Sequence, residues 1–267
     1  HIVLHQLRYT TANKKLSIKA ETLTIHSNLW ASLSGNLPIQ AAEIQHITVK
    51  APYYHHPIQI NQLTFHASNK ILQLDTTVFP LLGGQLTLAG TLNWQSAPVW
   101  HIQTNARHLN PATFNTRYPK GDINGNLTAQ GDLNHLRMNL DNLKGQVHQQ
   151  PVHGKGTFAL SGLNTQKQYT WTTELHTGKA FFKTHGKCKT QWDAHWQLSI
   201  PNFHAIASHS AGNLYSKGTI TGPRHLPHSI IDLKGAHLRL GNSRIGRLYG
   251  HTDVNLSPDG IFQMTLN

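Results

Sequence analysis

Negative charge is scarce in this 267-residue chain: 11 Asp and Glu stand against 23 Lys and Arg, charged residues make up 13%, and the net charge is +12. So few charges exclude helices laced by ion pairs, and the polarity comes instead from Asn, Gln, Thr, Ser and His, several of them mediocre helix formers. Cysteine occurs once, at Cys188, which excludes a disulfide framework within the chain and a cysteine-based structural zinc site. No apolar run approaches the ~18 residues that a membrane-spanning helix needs. No helical periodicity persists beyond about two turns, and no low-complexity linker interrupts the chain. The sequence opens at His1 without a leader, so we expect a piece of a longer protein whose anchor lies elsewhere.

The chemistry of enzymes is missing as well. The eleven carboxylates are scattered rather than paired, as acid–base catalysis would require. There is no G-x-S-x-G elbow and no G-x-x-x-x-G-K-[ST] phosphate loop. The 21 histidines include neither H-E-x-x-H nor a His-x-His pair. The near pairs His55/His56, His148/His153, His204/His209 and His225/His228 lack a carboxylate at ligand spacing. The expectation is a non-enzyme with no catalytic residue, no metal site and no cofactor, its histidines solvated at the surface.

What the chain does contain is a phrase, Gly-[Gln/Asn]-Leu-x-x-x-Gly-x-[Leu/Ile]. It appears as GQLTLAGTL at residues 84–92, GNLTAQGDL at 125–133 and GNLYSKGTI at 212–220. From Ile123 to Leu133 every odd position is apolar or glycine and every even one polar, a period of two that marks a half-buried strand. Leu86, Leu88, Gly90, Leu92 and Trp94 alternate in the same way. Further strands are expected at 23–25, 37–41, 47–49, 58–65, 71–78, 136–143, 169–175, 192–200, 230–240 and 244–256. Short turn signals such as residues 13–15, 68–70, 222–224 and 257–260 separate them and suit antiparallel hairpins. The first two copies start 41 residues apart and the next two 87 apart. The run GQVHQQPVHGKGTFAL at 145–160 stands as a degenerate copy between them. A loose repeat of this kind predicts an all-β, elongated, repetitive, mostly antiparallel curved sheet. On the order of two dozen strands of about eleven residues would stack in it at ~4.7 Å. Residues 1–267 read as one continuous segment with no internal boundary. Gly125 and Gly131, side-chain-free on the apolar face, would let the sheet bend or a facing surface approach.

The positive balance invites an anionic partner, either nucleic acid or the phosphates of a membrane surface. Its densest basic stretch is KAFFKTHGKCK at 179–189, which mixes Phe181 and Phe182 with lysines. That mixture suits single-stranded nucleic acid, but a solvated strand with one Phe turned inward is the more ordinary reading, and it argues for no nucleic-acid partner. A one-sided apolar sheet without an amphipathic helix must close on itself, pair with another sheet or hold a greasy ligand.

The run LNPATFNTRYPKGDINGNLTAQGDL at 109–133 resembles the LNPA…P…G-x-L…G signature of the TamB family. These are inner-membrane-anchored periplasmic subunits of the translocation and assembly module, within the AsmA-like group. The stretches at 83–94 and 212–222 resemble the same family's phrasing. The resemblance implies a β-taco-like trough with an apolar concave face, carrying phospholipid between the inner and outer membranes of a bacterial envelope and supporting outer-membrane biogenesis. Its partners would be phospholipid acyl chains and, through a region outside this segment, the outer-membrane barrel protein TamA, with this segment monomeric. Strand parity then makes Leu86, Leu88, Leu92, Trp94, Ile123, Leu127, Leu133, Leu214 and Ile220 the expected lining of the lipid groove. A repetitive β-rich surface adhesin and a basic nucleic-acid-binding module remain the alternatives.

Overall fold

The structure is a computed structural model that describes residues 1–11, 16–27, 39–50, 57–68, 70–95, 97–114, 118–206, 210–240, 243–256 and 262–266. Contacts group the chain into two units. The first, residues 1–118 and 126–133, holds β1 (Ile2–Thr10), β2 (Ser17–Ser27), β3 (Ile39–Lys50), β4 (Ile58–Ser68), β5 (Ile71–Leu81), β6 (Gly84–Asn93), β7 (Val99–Leu109) and the second half of β8 (Gly121–Gly131). The second, residues 119–125 and 134–267, holds the first half of β8. It continues with β9 (His135–Val147), β10 (Gln150–Ser161), β11 (Gln168–Thr177), β12 (Ala180–Cys188), β13 (Gln191–Ile200), β14 (Ser210–Pro223), β15 (His228–Leu240), β16 (Ser243–Leu256) and β17 (Phe262–Leu266).

The all-β, antiparallel expectation holds. From β1 to β7 and from β9 to β17 each strand pairs antiparallel with its neighbour in sequence. All the strands belong to one sheet. Among the described residues there are 17 strands rather than two dozen, because connections such as 162–167 and 224–227 consume residues that a strand count from length alone would pair. The expected turns at 13–15 and 257–260 and the start of the strand at 37–41 lie outside the described residues. The run at 145–160 is not a degenerate strand phrase. It ends β9, crosses a tight turn at His148 and Gln149, both at positive φ, and continues as β10.

Two connections are built alike. The LNPA run places Asn110 ahead of a one-turn helix, α1 (Pro111–Phe114). The Asn110 side chain accepts from the Ala112 amide at 3.2 Å, and proline opens the helix where its missing N–H costs nothing. The Asn110 amide donates to the Leu82 carbonyl at 2.8 Å, tying this cap to the β5–β6 turn. Before β14, Asn202 caps a 3-10 turn at Phe203–Ala205, accepting from the His204 amide at 3.0 Å.

Several strands bend within their own length. Gln6, His46, His108, Asn142 and His237 sit inside strands at φ between 50° and 56°, the left-handed region where His and Asn are enriched among non-glycine residues. Gly212, at φ 91°, occupies the irregularity between Ala211 and Asn213 in β14. Such interruptions bend a strand and raise its local twist. Some of the abundant histidines therefore serve the backbone.

Candidate functional site

Antiparallel registers place cross-strand partners on the same face, so the faces of the second unit follow strand by strand. One face carries Leu136, Met138 and Leu140 of β9, opposite Leu160, Phe158 and Gly156 of β10. It continues through Tyr169, Trp171 and Leu175 to Cys188, Gly186 and Phe182. Next come Trp192, Ala194, Trp196 and Leu198, which face Gly222, Ile220, Gly218 and Ser216. Beyond β14 follow Ile231 and Leu233. Thr173, Thr184, Ser216 and Ser229 interrupt an otherwise mostly apolar face.

The fully buried members of that face are mostly small. Ala180, Cys188 (0% exposed), Ala194 (3%), Ser216 and Ser229 are buried, along with Leu238 and Val254. The larger Trp171, Trp192, Trp196, Phe158, Phe182, Leu214 and Ile220 keep part of their surface accessible. In a sandwich core the order is reversed, because a second layer covers the big side chains most completely. Here small residues are covered by the flanks of their neighbours, as on the floor of a single layer.

Two glycines of the apolar face, Gly218 of the repeated phrase and Gly186 of β12, acquire a specific purpose. A Cβ on Gly218 would stand 2.2 Å from Cζ2 of Trp196, and one on Gly186 would stand 2.5 Å from Cζ2 of Trp171. A Cβ on Gly125 would meet Leu143 Cδ1 at 3.4 Å. Gly218 and Gly186 thus leave seats into which a neighbouring strand's indole lies, whereas the Leu143 contact at Gly125 is ordinary packing. At Gly84, Gly90 and Gly212 the close approach is instead by backbone carbonyls of the neighbouring strand, at 2.2, 2.9 and 2.4 Å from a Cβ. The indole edges find partners: Trp171 Nε1 donates to Thr184 Oγ1 at 3.2 Å and Trp192 Nε1 to the Arg224 carbonyl at 3.4 Å. Both rings combine an apolar body with a satisfied polar tip.

The opposite face holds the charge. Lys155, Lys183 and His176 surround Glu174 at 3.9, 2.8 and 2.9 Å. Lys187 and His195 flank Asp193 at 3.2 and 3.4 Å, and Lys217 and His251 flank Asp232 at 3.5 and 2.7 Å. The hydrogen bond from Lys183, then that from His176, holds Glu174 down to about 2 from an ordinary 4.5 against a smaller opposing effect of desolvation. Asp193 is lowered chiefly by Lys187 and Asp232 chiefly by His251. Among the described residues no three His, Cys, Asp or Glu side chains gather as metal ligands would.

In the first unit the expected lining residues divide. Leu86 and Leu88 of β6 pack against a buried cluster of Ala20, Ile47, Ile60 and Phe79. Leu92 lies opposite Leu72 and Trp100. Trp94 sits just beyond β6, its amide bonded to the Lys70 carbonyl at 3.0 Å. On β8, Asn126 is bonded by Asn105 at 2.5 Å and the Leu127 carbonyl by Thr104 at 3.2 Å. Thr104 is the partner of Leu88, so Leu127 shares the face of Leu88, and alternation carries Ile123 and Gly125 with it. Leu133 is different: β8 stops at Gly131, and Leu133 lies in the following turn at 64% exposure. Leu214 pairs with Ile200 and Gly235, and Ile220 with Ala194 and Ser229, both on the apolar face. Sequence reasoning missed the aromatic members Tyr169, Trp171, Trp192 and Trp196, although their alternation with Thr170, Thr172, Asp193 and His195 was there to be read.

A family model described as TamB, N-terminal domain, matches residues 55–267. The chain belongs to the TamB family. Among curated proteins, the translocation and assembly module subunit TamB of Haemophilus influenzae is 22% identical over 254 residues, covering 91% of this chain. The chain spans 18% of that relative's length. No solved structure matches. The LNPA run and all three copies of the glycine phrase fall inside the TamB match, and no helix among the described residues is long and apolar enough to cross a membrane.

Proposed function

We propose that this TamB-family chain is one segment of a periplasmic conduit that holds phospholipid acyl chains against its apolar sheet face. The larger protein, anchored in the inner membrane, would serve the translocation and assembly module with the outer-membrane barrel TamA, which this segment need not touch. The observation that carries the reading is the division of faces in the second unit. Large aromatic and aliphatic side chains stay partly accessible on one face, while the carboxylate clusters occupy the other. Accessible apolar surface repeated at each strand is an association hazard unless a ligand occupies it, and the residues above suit hydrocarbon and little else. No step of bond making is implied, and an enzyme is not proposed.

The nucleic-acid alternative loses its densest basic stretch. Lys183 and Lys187 of β12 are paired with Glu174 and Asp193, and Phe181 and Phe182 point to opposite faces by alternation, so no aromatic platform runs beside free cations. An adhesin should have a dry, filled core.

The test is site-specific photo-crosslinking in the full-length protein in cells. Probes at Leu127 and Leu214 should capture phospholipid, and probes at Thr128 and Lys217, one and three residues away on the other face, should not. Equal capture on both faces, or none at Leu214 in folded protein taken from membranes, overturns the conduit.

A further inference from the structure

We propose that the turn end of β10 to β15 is a docking station for the anionic phosphate headgroup of a phospholipid whose acyl chains lie on the adjoining apolar face. The proposal rests on the conduit reading and goes further by naming where a headgroup is held.

Three hairpin turns meet there: 162–167 between β10 and β11, 189–190 between β12 and β13, and 224–227 between β14 and β15. Arg224 spans them. Its amide donates to the Thr190 carbonyl at 2.9 Å, and its guanidinium donates to the Lys167 carbonyl at 3.4 Å and to Tyr169 Oη at 3.3 Å. The guanidinium carbon lies 5.1 Å from the centre of the Tyr169 ring. Those contacts use neutral acceptors and a ring face, so the positive charge is positioned without being neutralised.

Carboxylates reach only some of the lysines. Lys155, Lys183, Lys187 and Lys217 each have a carboxylate within 4 Å. Among the described residues, Lys167, Lys189, Arg224 and His225 have none. Lys189, Arg224 and His225, with Gln166 and Thr190, line a depression of about 670 Å³, and all five are exposed. A depression lined by Lys189, Arg224 and His225, with no carboxylate beside them, is complementary to a phosphate.

The position of the apolar face excludes an inorganic anion as the intended occupant. Tyr169, beneath the Arg224 guanidinium, pairs with Leu160 and Cys188 on that face. Trp192, whose indole donates to the Arg224 carbonyl, meets Trp171 edge-on at 6.1 Å between centroids. Cation and aromatic floor are joined through shared side chains, so one ligand that fits both has a negative head and an apolar tail. Free phosphate would satisfy only the first half.

The experiment places a photo-crosslinker at Thr190 in the full-length protein and extracts bound lipid, with a second probe at Leu214 as the reporter of the apolar face. Capture at Thr190 should favour phosphatidylglycerol over phosphatidylcholine in vesicles of each, and inorganic phosphate should not compete. Arg224→Gln with Lys189→Gln should cut Thr190 capture about tenfold, the loss expected for a charge-assisted contact, while Leu214 capture stays unchanged. Lys167→Gln with Lys189→Gln leaves the Arg224 ties intact and should give a smaller cut in the same direction, so the test survives if the first variant does not fold. The station is overturned if Leu214 captures lipid while Thr190 does not, if both variants leave Thr190 capture unchanged, or if inorganic phosphate or single-stranded DNA displaces the lipid. Loss of capture at Leu214 in the unaltered protein would instead overturn the conduit.

Discussion

Replacing Gly218 by alanine tests whether this glycine is a seat for the neighbouring ring of Trp196. The new Cβ would lie 2.2 and 2.3 Å from Cζ2 and Cη2 of Trp196 and 2.6 Å from the Ile230 carbonyl oxygen. The indole can swing outward because the face leaves it partly accessible, so that clash is relieved at the expense of ring packing. The carbonyl belongs to the ladder between β14 and β15 and can yield only by shifting the strand. Overpacking of this kind costs about 1–3 kcal/mol. For a domain of this size each kcal/mol lowers the melting temperature by roughly 2–4 °C, and far-UV circular dichroism and tryptophan fluorescence should both show the drop. Gly250 is the control: nothing lies within 4 Å of its Cβ position, so Gly250→Ala should be neutral or stabilising by up to about 1 kcal/mol. Adding Trp196→Leu to Gly218→Ala should recover the ring part of the loss and leave the carbonyl part. If Gly218→Ala and Gly250→Ala melt within about half a kcal/mol of each other, the seats have no energetic meaning.

Two further outcomes follow from the polar face and the bends. Glu174 is held down to about 2 from 4.5, so what its ion pairs add to stability is present above pH 4.5 and lost as the pH falls toward 2; an acid titration of Glu174→Gln should lack that part of the slope, and superimposable curves would refute the assignment. At His237, φ 51° suits glycine, and the left-handed cost for a β-branched residue is about 1–2 kcal/mol, so His237→Val should melt below His237→Gly, with the reverse order contradicting the bend.

What the sequence made legible was whatever depends on a single strand. The period of two at Ile123–Gly131 appears as β8, and the runs at 58–65, 71–78 and 192–200 appear inside β4, β5 and β13. In the basic stretch, one Phe turned to each side is what alternation required, and β12 places them so. What stayed hidden depends on two strands at once. The ring of Trp196 over Gly218 joins residues 22 positions apart through a register that no local pattern announces. Leu133 continues the alternation on paper, yet the ladder ends at Gly131, because Asp132 and Leu133 begin the turn toward β9. Left-handed His46, His108 and His237 were also out of reach, since nothing in the sequence separates a histidine that bends a strand from one that only faces water.

The same dependence explains why the apolar face is written in such varied residues. On a two-layer core each large side chain must fit a counterpart, and a change of one methylene is felt. On this face the counterpart is the flank of the next strand, and the fit is settled pair by pair. Trp171 lies over Gly186, Trp196 over Gly218, and Leu143 and Leu175 close on Gly154. Any large-on-small pair restores the floor, so neighbouring levels can exchange aromatic for aliphatic members while the accessible surface stays apolar. Hydrocarbon chains impose no finer demand, being flexible and without hydrogen-bonding groups. In the conduit we propose, the demand would change only where a headgroup is met, and at that end the chain offers one fixed arrangement, Arg224 tied to Thr190, Lys167 and Tyr169. A wall that tolerates variation along its length and becomes specific at its turns would have the properties that the proposed passage of an amphipathic ligand requires.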